Sequence, residues 1–202
     1  MKVLISSNFK KHFRTHIDFI DHYWVKYFEK KKIKFILVPN SIKNFSYIIK
    51  REKKVDLIIL PGGNDLFGKN RLLKIRLDIE KRLIRYGIKK KIPIIGICRG
   101  MQVLNYHFNG KIKKINNHMK KITKVFFKNK LFGKSYMMVK CFHNYGIPNN
   151  LISKSFKILA TDNLNNIEMF KHNKLKIYGI MWHPEREKKI TFLNSILKII
   201  RK

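Results

Sequence analysis

The chain has 202 residues, 45 % of them hydrophobic, with 46 Lys and Arg against 12 Asp and Glu for a formal charge of +34. That length suits one domain with a substantial core, residues 1–202, and is short for two ordinary ones. The apolar residues come in short separated runs, which excludes both a disordered chain and a helical membrane span of about 20 apolar residues.

In chain order, "KVLISS" reads as a strand, and Ile17, Ile20, Tyr23, Trp24, Tyr27 and Phe28 recur at helical spacing before "IKFILVPN" returns to strand character. Ser41 is placed to cap a helix carrying Ile42, Phe45, Ile48 and Ile49. "VDLIIL" is a nearly continuous apolar run, as in a parallel strand covered on both faces, and it ends in "PGGND". Leu72, Leu73, Arg76, Ile79, Leu83 and Ile84 mark the next helix, with Gly87 as its expected stop, followed by the strand "IPIIGI". From Lys111 to His172 the alternation lapses, and "ITKVFFKN", "SYMMVKCF" and "FKILATD" read as antiparallel strands added at one side of the sheet. "LKIYGI" rejoins the central sheet, and Ile190, Leu193, Ile196, Leu197 and Ile200 give a closing helix. The expected fold is α/β: a three-layer sandwich around a central, mostly parallel sheet with antiparallel additions. Ligands in such sheets bind outside the carboxyl ends of the strands, where "PGGND", "GICRGMQ" and "GIMWHPE" all fall.

The positive charge raises nucleic-acid binding as a class. Lysines are scattered over nearly every segment, however, and neither zinc-ligand pairs nor an aromatic RNP stretch accompanies them. No specific nucleic-acid partner is expected; the field would help collect an anionic substrate. The opening "MKVLISSNFKK" lacks a small-residue cleavage site, and a cytoplasmic location is expected. Two cysteines, Cys98 and Cys141, make no disulfide framework and lack companions at zinc spacing, so no metal is expected. His12, His16, His22, His107, His118 and His172 show no spacing that argues for metal, and Cys141 reads as a small core residue.

Cys98 sits between Gly96 and Gly100 where a strand feeds directly into a helix, the crowded geometry of a nucleophile elbow. The helix dipole and Arg99 would favour a reactive thiol; a buried structural cysteine is the other local reading. In "GIMWHPERE" residues two apart in an extended segment face one side, so Glu185 can hold one nitrogen of His183 and leave the other for a nucleophile. Gly63 in "PGGND" can bring a backbone N–H close to a developing oxyanion, with the amide of Arg99 as the second donor; an ordinary tight turn is the alternative. Trp182 is expected to pack beneath the site.

Taken together, "PGGND" (61–65), "GICRGMQVLN" (96–105), "VKCFHNYGI" (139–147) and "IYGIMWHPERE" (177–187) resemble the class I glutamine amidotransferase superfamily, and within it the γ-glutamyl hydrolase-like branch, peptidase family C26. The resemblance covers nearly the whole chain. It implies Cys98 as nucleophile, His183 as base and Glu185 as its orienter, with Gly63 and Arg99 forming the oxyanion hole. It also implies that Gln102, with Gly62, His143 and Asn144, holds the γ-glutamyl group; many relatives carry His-Gln where this chain has Asn144 and Tyr145. No cofactor is implied. The implied activity is hydrolysis of a γ-glutamyl C–N bond through a thioester, most specifically on γ-glutamyl-CDP-amidate in surface-polysaccharide phosphoramidate synthesis. A nucleotide-bearing substrate would suit the basic surface, with Arg99 or Arg186 as candidate phosphate contacts. The alternatives are a glutaminase subunit supplying ammonia to a partner synthetase, a hydrolase of γ-glutamyl amines, and a non-catalytic binding protein on the same fold.

Overall fold

The computed structural model describes residues 1–115, 119–131, 133–187 and 191–201. Its strands are β1 (Lys2–Ser6), β2 (Asn8–His12), β3 (Thr15–Phe19), β4 (Lys34–Val38), β5 (Leu57–Leu60), β6 (Ile94–Ile97), β7 (Lys113–Lys114), β8 (Met119–Leu131), β9 (Lys134–Phe142), β10 (Tyr145–Gly146), β11 (Phe156–Asp162), β12 (Ile167–His172) and β13 (Ile177–Ile180). The helices are α1 (His22–Lys30), α2 (Ile42–Arg51), α3 (Arg71–Lys89), α4 (Arg99–His107) and α5 (Thr191–Arg201). Nine strands form one sheet in the order β4-β1-β5-β6-β13-β12-β11-β8-β9. The first five are parallel, and β12, β11, β8 and β9 extend the sheet antiparallel from β13.

Alternation along the strands builds two cores, one on each face. Val3 and Ile5 of β1, Leu57 and Ile59 of β5, and Ile95 and Ile97 of β6 pack with Trp24, Tyr27 and Phe28 of α1 and Leu193 and Ile196 of α5. Leu4, Ile58, Leu60 and Ile94 face the other way, toward Phe45 of α2, Ile79 and Leu83 of α3, and Met101 and Leu104 of α4. This is the three-layer α/β sandwich that the continuous apolar runs predict, because a strand covered on both faces has no polar side. Among the described residues, no helix is long and apolar enough to cross a membrane.

Two expectations about the elements are corrected. Residues 8–19 form a two-stranded hairpin, with Ile17 in β3, and α1 begins only at His22. Asp21 caps that helix by accepting from the Tyr23 amide at 3.0 Å, which fixes its start after the hairpin. Gly87 does not stop α3, which runs on to Lys89. A side chain there would come within 2.8 Å of Ile94 and 2.9 Å of Ile58, so the glycine lets the helix lie close on the sheet. Of the closing stripe, Ile190 lies outside the described residues, as does His118, while Leu193, Ile196 and Leu197 are buried as expected.

Candidate active site

The carboxyl ends of β5, β6 and β13, adjacent in the sheet, deliver "PGGND", Cys98 and His183 to one place. The Cys98 amide donates to Ile180 O at 2.7 Å, which ties the elbow to the end of β13. Cys98 has φ 50° and ψ −108°, a conformation that L residues rarely hold unless their surroundings impose it. The surroundings are tight: a Cβ on Gly100 would lie 1.9 Å from the Leu60 carbonyl oxygen. Cys98 occupies the N-cap position of α4, so the Arg99 amide is among the first N–H groups of that helix, which have no intrahelical acceptor.

Cys98 is only 6 % exposed, and it is reached from a cavity of about 490 Å³. The crowding that makes the elbow also sinks its apex among the flanking loops. Gly63, Asn64, Gln102, His143, Asn144 and Tyr145 line the same cavity.

His183 hydrogen-bonds to Cys98 on one side, and its Nδ1 lies 2.7 Å from Glu185 Oε1 on the other. The segment is not extended: Pro184–Arg186 form a 3₁₀ turn, and this tighter path still returns the carboxylate to the ring. The Asp21–Arg186 ion pair at 2.7 Å anchors that turn to the start of α1. Burial pushes His183 downward, but its hydrogen bonds to Cys98 and Glu185 and their negative charges outweigh it and raise the imidazole to about 10. Gly62 packs against this pair, since a Cβ there would stand 2.6 Å from His183 Cε1 and 3.2 Å from Cys98 Cβ. Gly63 holds φ +122°, a backbone open to glycine and rarely to other residues.

One turn along α4, Gln102 Nε2 donates to Tyr145 O at 2.8 Å, and His143 Nδ1 lies 3.1 Å from the same carbonyl. Asn144 is exposed at the cavity rim, and its carbonyl accepts from the Ile115 amide at 2.9 Å. Trp182 is buried against Phe192 of α5, in the same apolar cluster as Cys98.

The Arg99 side chain is not a phosphate contact. It is 1 % exposed, ion-paired to Glu80, and its Nε donates to Asp65 O at 3.3 Å. Arg186 is paired with Asp21, and its guanidinium packs over Phe142 at 5.2 Å.

Sequence reasoning missed Glu168, Glu80 and the partnership of Arg76. Arg76 falls on the apolar stripe of α3, and a charge on a core-facing stripe with a carboxylate four residues on was the available signal. Glu168 is fully buried on β12; burial, Asp162 and Cys98 push it well above the usual carboxylate range. Its donor atoms, with those of Cys141 and His143, lie within 4.8 Å of one another, the one such group among the described residues with the ligand types for a metal. The Cys141 thiol is pushed up to about 12, chiefly by burial and then by Glu168, and it hydrogen-bonds to Thr123.

A nucleophile elbow, an imidazole held between sulfur and carboxylate, and a glycine turn across from them are grounds to compare the chain with known enzymes. Residues 16–193 match the family model "Glutamine amidotransferase class-I". The chain belongs to that family. The γ-glutamyl-CDP-amidate hydrolase of Campylobacter jejuni subsp. jejuni serotype O:2 is 38 % identical over 168 residues, 81 % of this chain and 78 % of the relative. A glutamine-hydrolysing GMP synthase subunit from Methanococcus aeolicus is 30 % identical over 161 residues, 76 % of each chain. A solved candidate GMP synthase subunit from Thermoplasma acidophilum shares the fold with TM-score 0.73 at 22 % identity, over 100 % of this chain and 92 % of that one. As a class I amidotransferase, the chain is an enzyme that hydrolyses amide C–N bonds.

Proposed function

We propose that this amidotransferase hydrolyses γ-glutamyl-CDP-amidate by way of a γ-glutamyl thioester on Cys98. The Cys98 sulfur, its proton taken up by His183, attacks the γ-carbonyl carbon. The C–S bond forms, and the π pair moves to oxygen, where the amides of Gly63 and Arg99 receive it. The tetrahedral adduct collapses, the C–N bond breaks, and protonated His183 gives its proton to the departing nitrogen. Water deprotonated by His183 then cleaves the thioester, releasing glutamate and the free thiol. Glu185 keeps the imidazole in the required tautomer and orientation. Gln102, Gly62, His143 and Asn144 hold the γ-glutamyl group.

The observation that carries the substrate choice is the cavity beyond Cys98. At about 490 Å³, with Asn64, Asn70, Phe9, Phe142 and Tyr145 on its walls beside Gln102, His143 and Asn144, it has room for a γ-glutamyl group together with a leaving group larger than ammonia. The likeness to the Campylobacter hydrolase points the same way. A second reading, a glutaminase that passes ammonia to a synthetase, draws on the likeness to the glutamine-hydrolysing GMP synthase subunit. Purified protein offered glutamine, simple γ-glutamyl amines and γ-glutamyl-CDP-amidate, with glutamate release measured, separates the two. Preference for the nucleotide amidate, absent in Cys98→Ala, is the expected result. Turnover of glutamine alone, rising when a synthetase is added, favours the second reading, and equal activity in Cys98→Ala defeats the mechanism.

A further inference from the structure

Both proposed oxyanion donors trace back to one buried carboxylate. Arg76, Glu80 and Arg99 are 0 %, 0 % and 1 % exposed. Glu80 accepts from Arg76 Nε at 3.1 Å, from Ser6 Oγ at 3.3 Å, and from Arg99 Nη1. The two guanidiniums direct further N–H groups at the turn after β5. Arg76 Nη2 donates to the carbonyls of Pro61 and Gly62 at 3.2 and 3.3 Å, and its Nη1 to Asn64 Oδ1 at 2.8 Å and Asn8 Oδ1 at 2.5 Å. Arg99 Nε takes the Asp65 carbonyl. Asn8 Oδ1 lies 1.9 Å from where a Cβ on Gly63 would be, so the turn is held in front by Asn8 and behind by Arg76.

Such a triad is a poor way to gain stability. Taking three charges out of water is costly, and apolar substitutes of similar volume often serve as well. Its cost shows in Arg76, which burial and the neighbouring Arg99 push down to about 9 against the pull of Glu80. What the triad does supply is direction, since a guanidinium fork donates along fixed lines. It also leaves one net positive charge behind the turn.

We infer that Glu80 is a positioning residue of the oxyanion hole: through Arg76 it sets the turn carrying the Gly63 amide, and through the Arg99 side chain it sets the residue carrying the second amide. The inference rests on the reading of Cys98 as attacking a γ-carbonyl. Glu80 itself, on α3, touches no substrate.

Glu80→Gln keeps the shape and removes the charge that joins the two arginines. Three readouts separate positioning from general disruption. The first is kcat and KM on the γ-glutamyl substrate. The second is inhibition by glutamate γ-semialdehyde, whose aldehyde carbon bonds to the Cys98 sulfur while the carbonyl π pair moves to oxygen, creating an oxyanion. The third is alkylation of Cys98 by iodoacetamide, which forms the C–S bond by displacing iodide and creates none.

The expected result is a fall in kcat of about 10²–10³ with KM changed by no more than about threefold. The semialdehyde should bind correspondingly more weakly, and the alkylation rate should stay within about twofold of wild type. Alkylation falling in step with kcat, or kcat unchanged, overturns the inference. Should Glu80→Gln fail to fold, Arg76→Lys keeps the charge but loses the fork on the Pro61 and Gly62 carbonyls, and it is judged by the same three readouts. A wild-type protein inert on every γ-glutamyl substrate, whose Cys98 the semialdehyde nonetheless protects from iodoacetamide, speaks against the proposed function, while comparing that protection in wild type and Glu80→Gln still decides the positioning role.

Discussion

Nδ1 of His183 and Oε1 of Glu185 lie 2.7 Å apart, both side chains buried, at either side of a proline that opens a 3₁₀ turn. The other side of the ring meets Cys98. Glu185→Gln therefore removes the charge that holds the imidazolium while nearly preserving the shape. We expect kcat to fall by about 10²–10⁴, the range associated with acid–base groups. The alkaline limb of the pH–rate profile, placed near 10 by the folded His183, should move to lower pH in the variant. A pH–kcat profile of both proteins checks this; an unmoved limb would show that His183 does not govern it.

The same shift makes a statement about stability. The imidazole titrates ordinarily at 6.5 and in the folded chain at about 10, so between these values the folded state holds a proton that the unfolded state has lost. The stabilisation it contributes is fully present below 6.5 and is lost as pH rises toward 10. Chemical denaturation of wild type and His183→Gln across this window should show a wild-type advantage that shrinks with rising pH.

Gly62 touches the dyad itself. A methyl group there would need the space of His183 Cε1, 2.6 Å away, and the ring, a side-chain end rather than backbone, is the part that must give way. Gly62→Ala should cost about 10²-fold in kcat, as expected of a misplacement near 1 Å, with thermal stability close to wild type. Steady-state kinetics beside a melting curve tests the pairing of the two outcomes.

Gly100 is the contrasting case. Its added Cβ would press on backbone, 1.9 Å from the Leu60 carbonyl oxygen, where no side chain can yield. Gly100→Ala should destabilise the fold by about 1–3 kcal/mol or more, measured by denaturant midpoint.

The two cysteines should differ in reactivity. Cys98 opens on the cavity, whereas Cys141 is fully buried and its thiol is pushed up to about 12. Limited iodoacetamide treatment followed by peptide mass mapping should find the adduct on Cys98 alone, and Cys141→Ser should retain activity. Equal labelling of both would contradict this assignment of environments.

Sequence by itself determined the strands "VDLIIL" and "IPIIGI", because burial on both faces leaves an unbroken apolar run. It also located the three turns at their carboxyl ends, since glycines and proline mark reversals whatever lies around them. It misread residues 17–20, where apolar spacing over so few positions fits a hairpin as well as a helix and only the Asp21 cap decides. Tertiary structure alone decided that β13 pairs with β6, bringing His183 to Cys98 across 85 residues of chain. It alone decided that the Arg99 side chain turns inward to Glu80. The physical reason is that propensity, patterning and turn chemistry act between near neighbours, whereas strand order and the pairing of buried charges depend on which distant surfaces exclude water together.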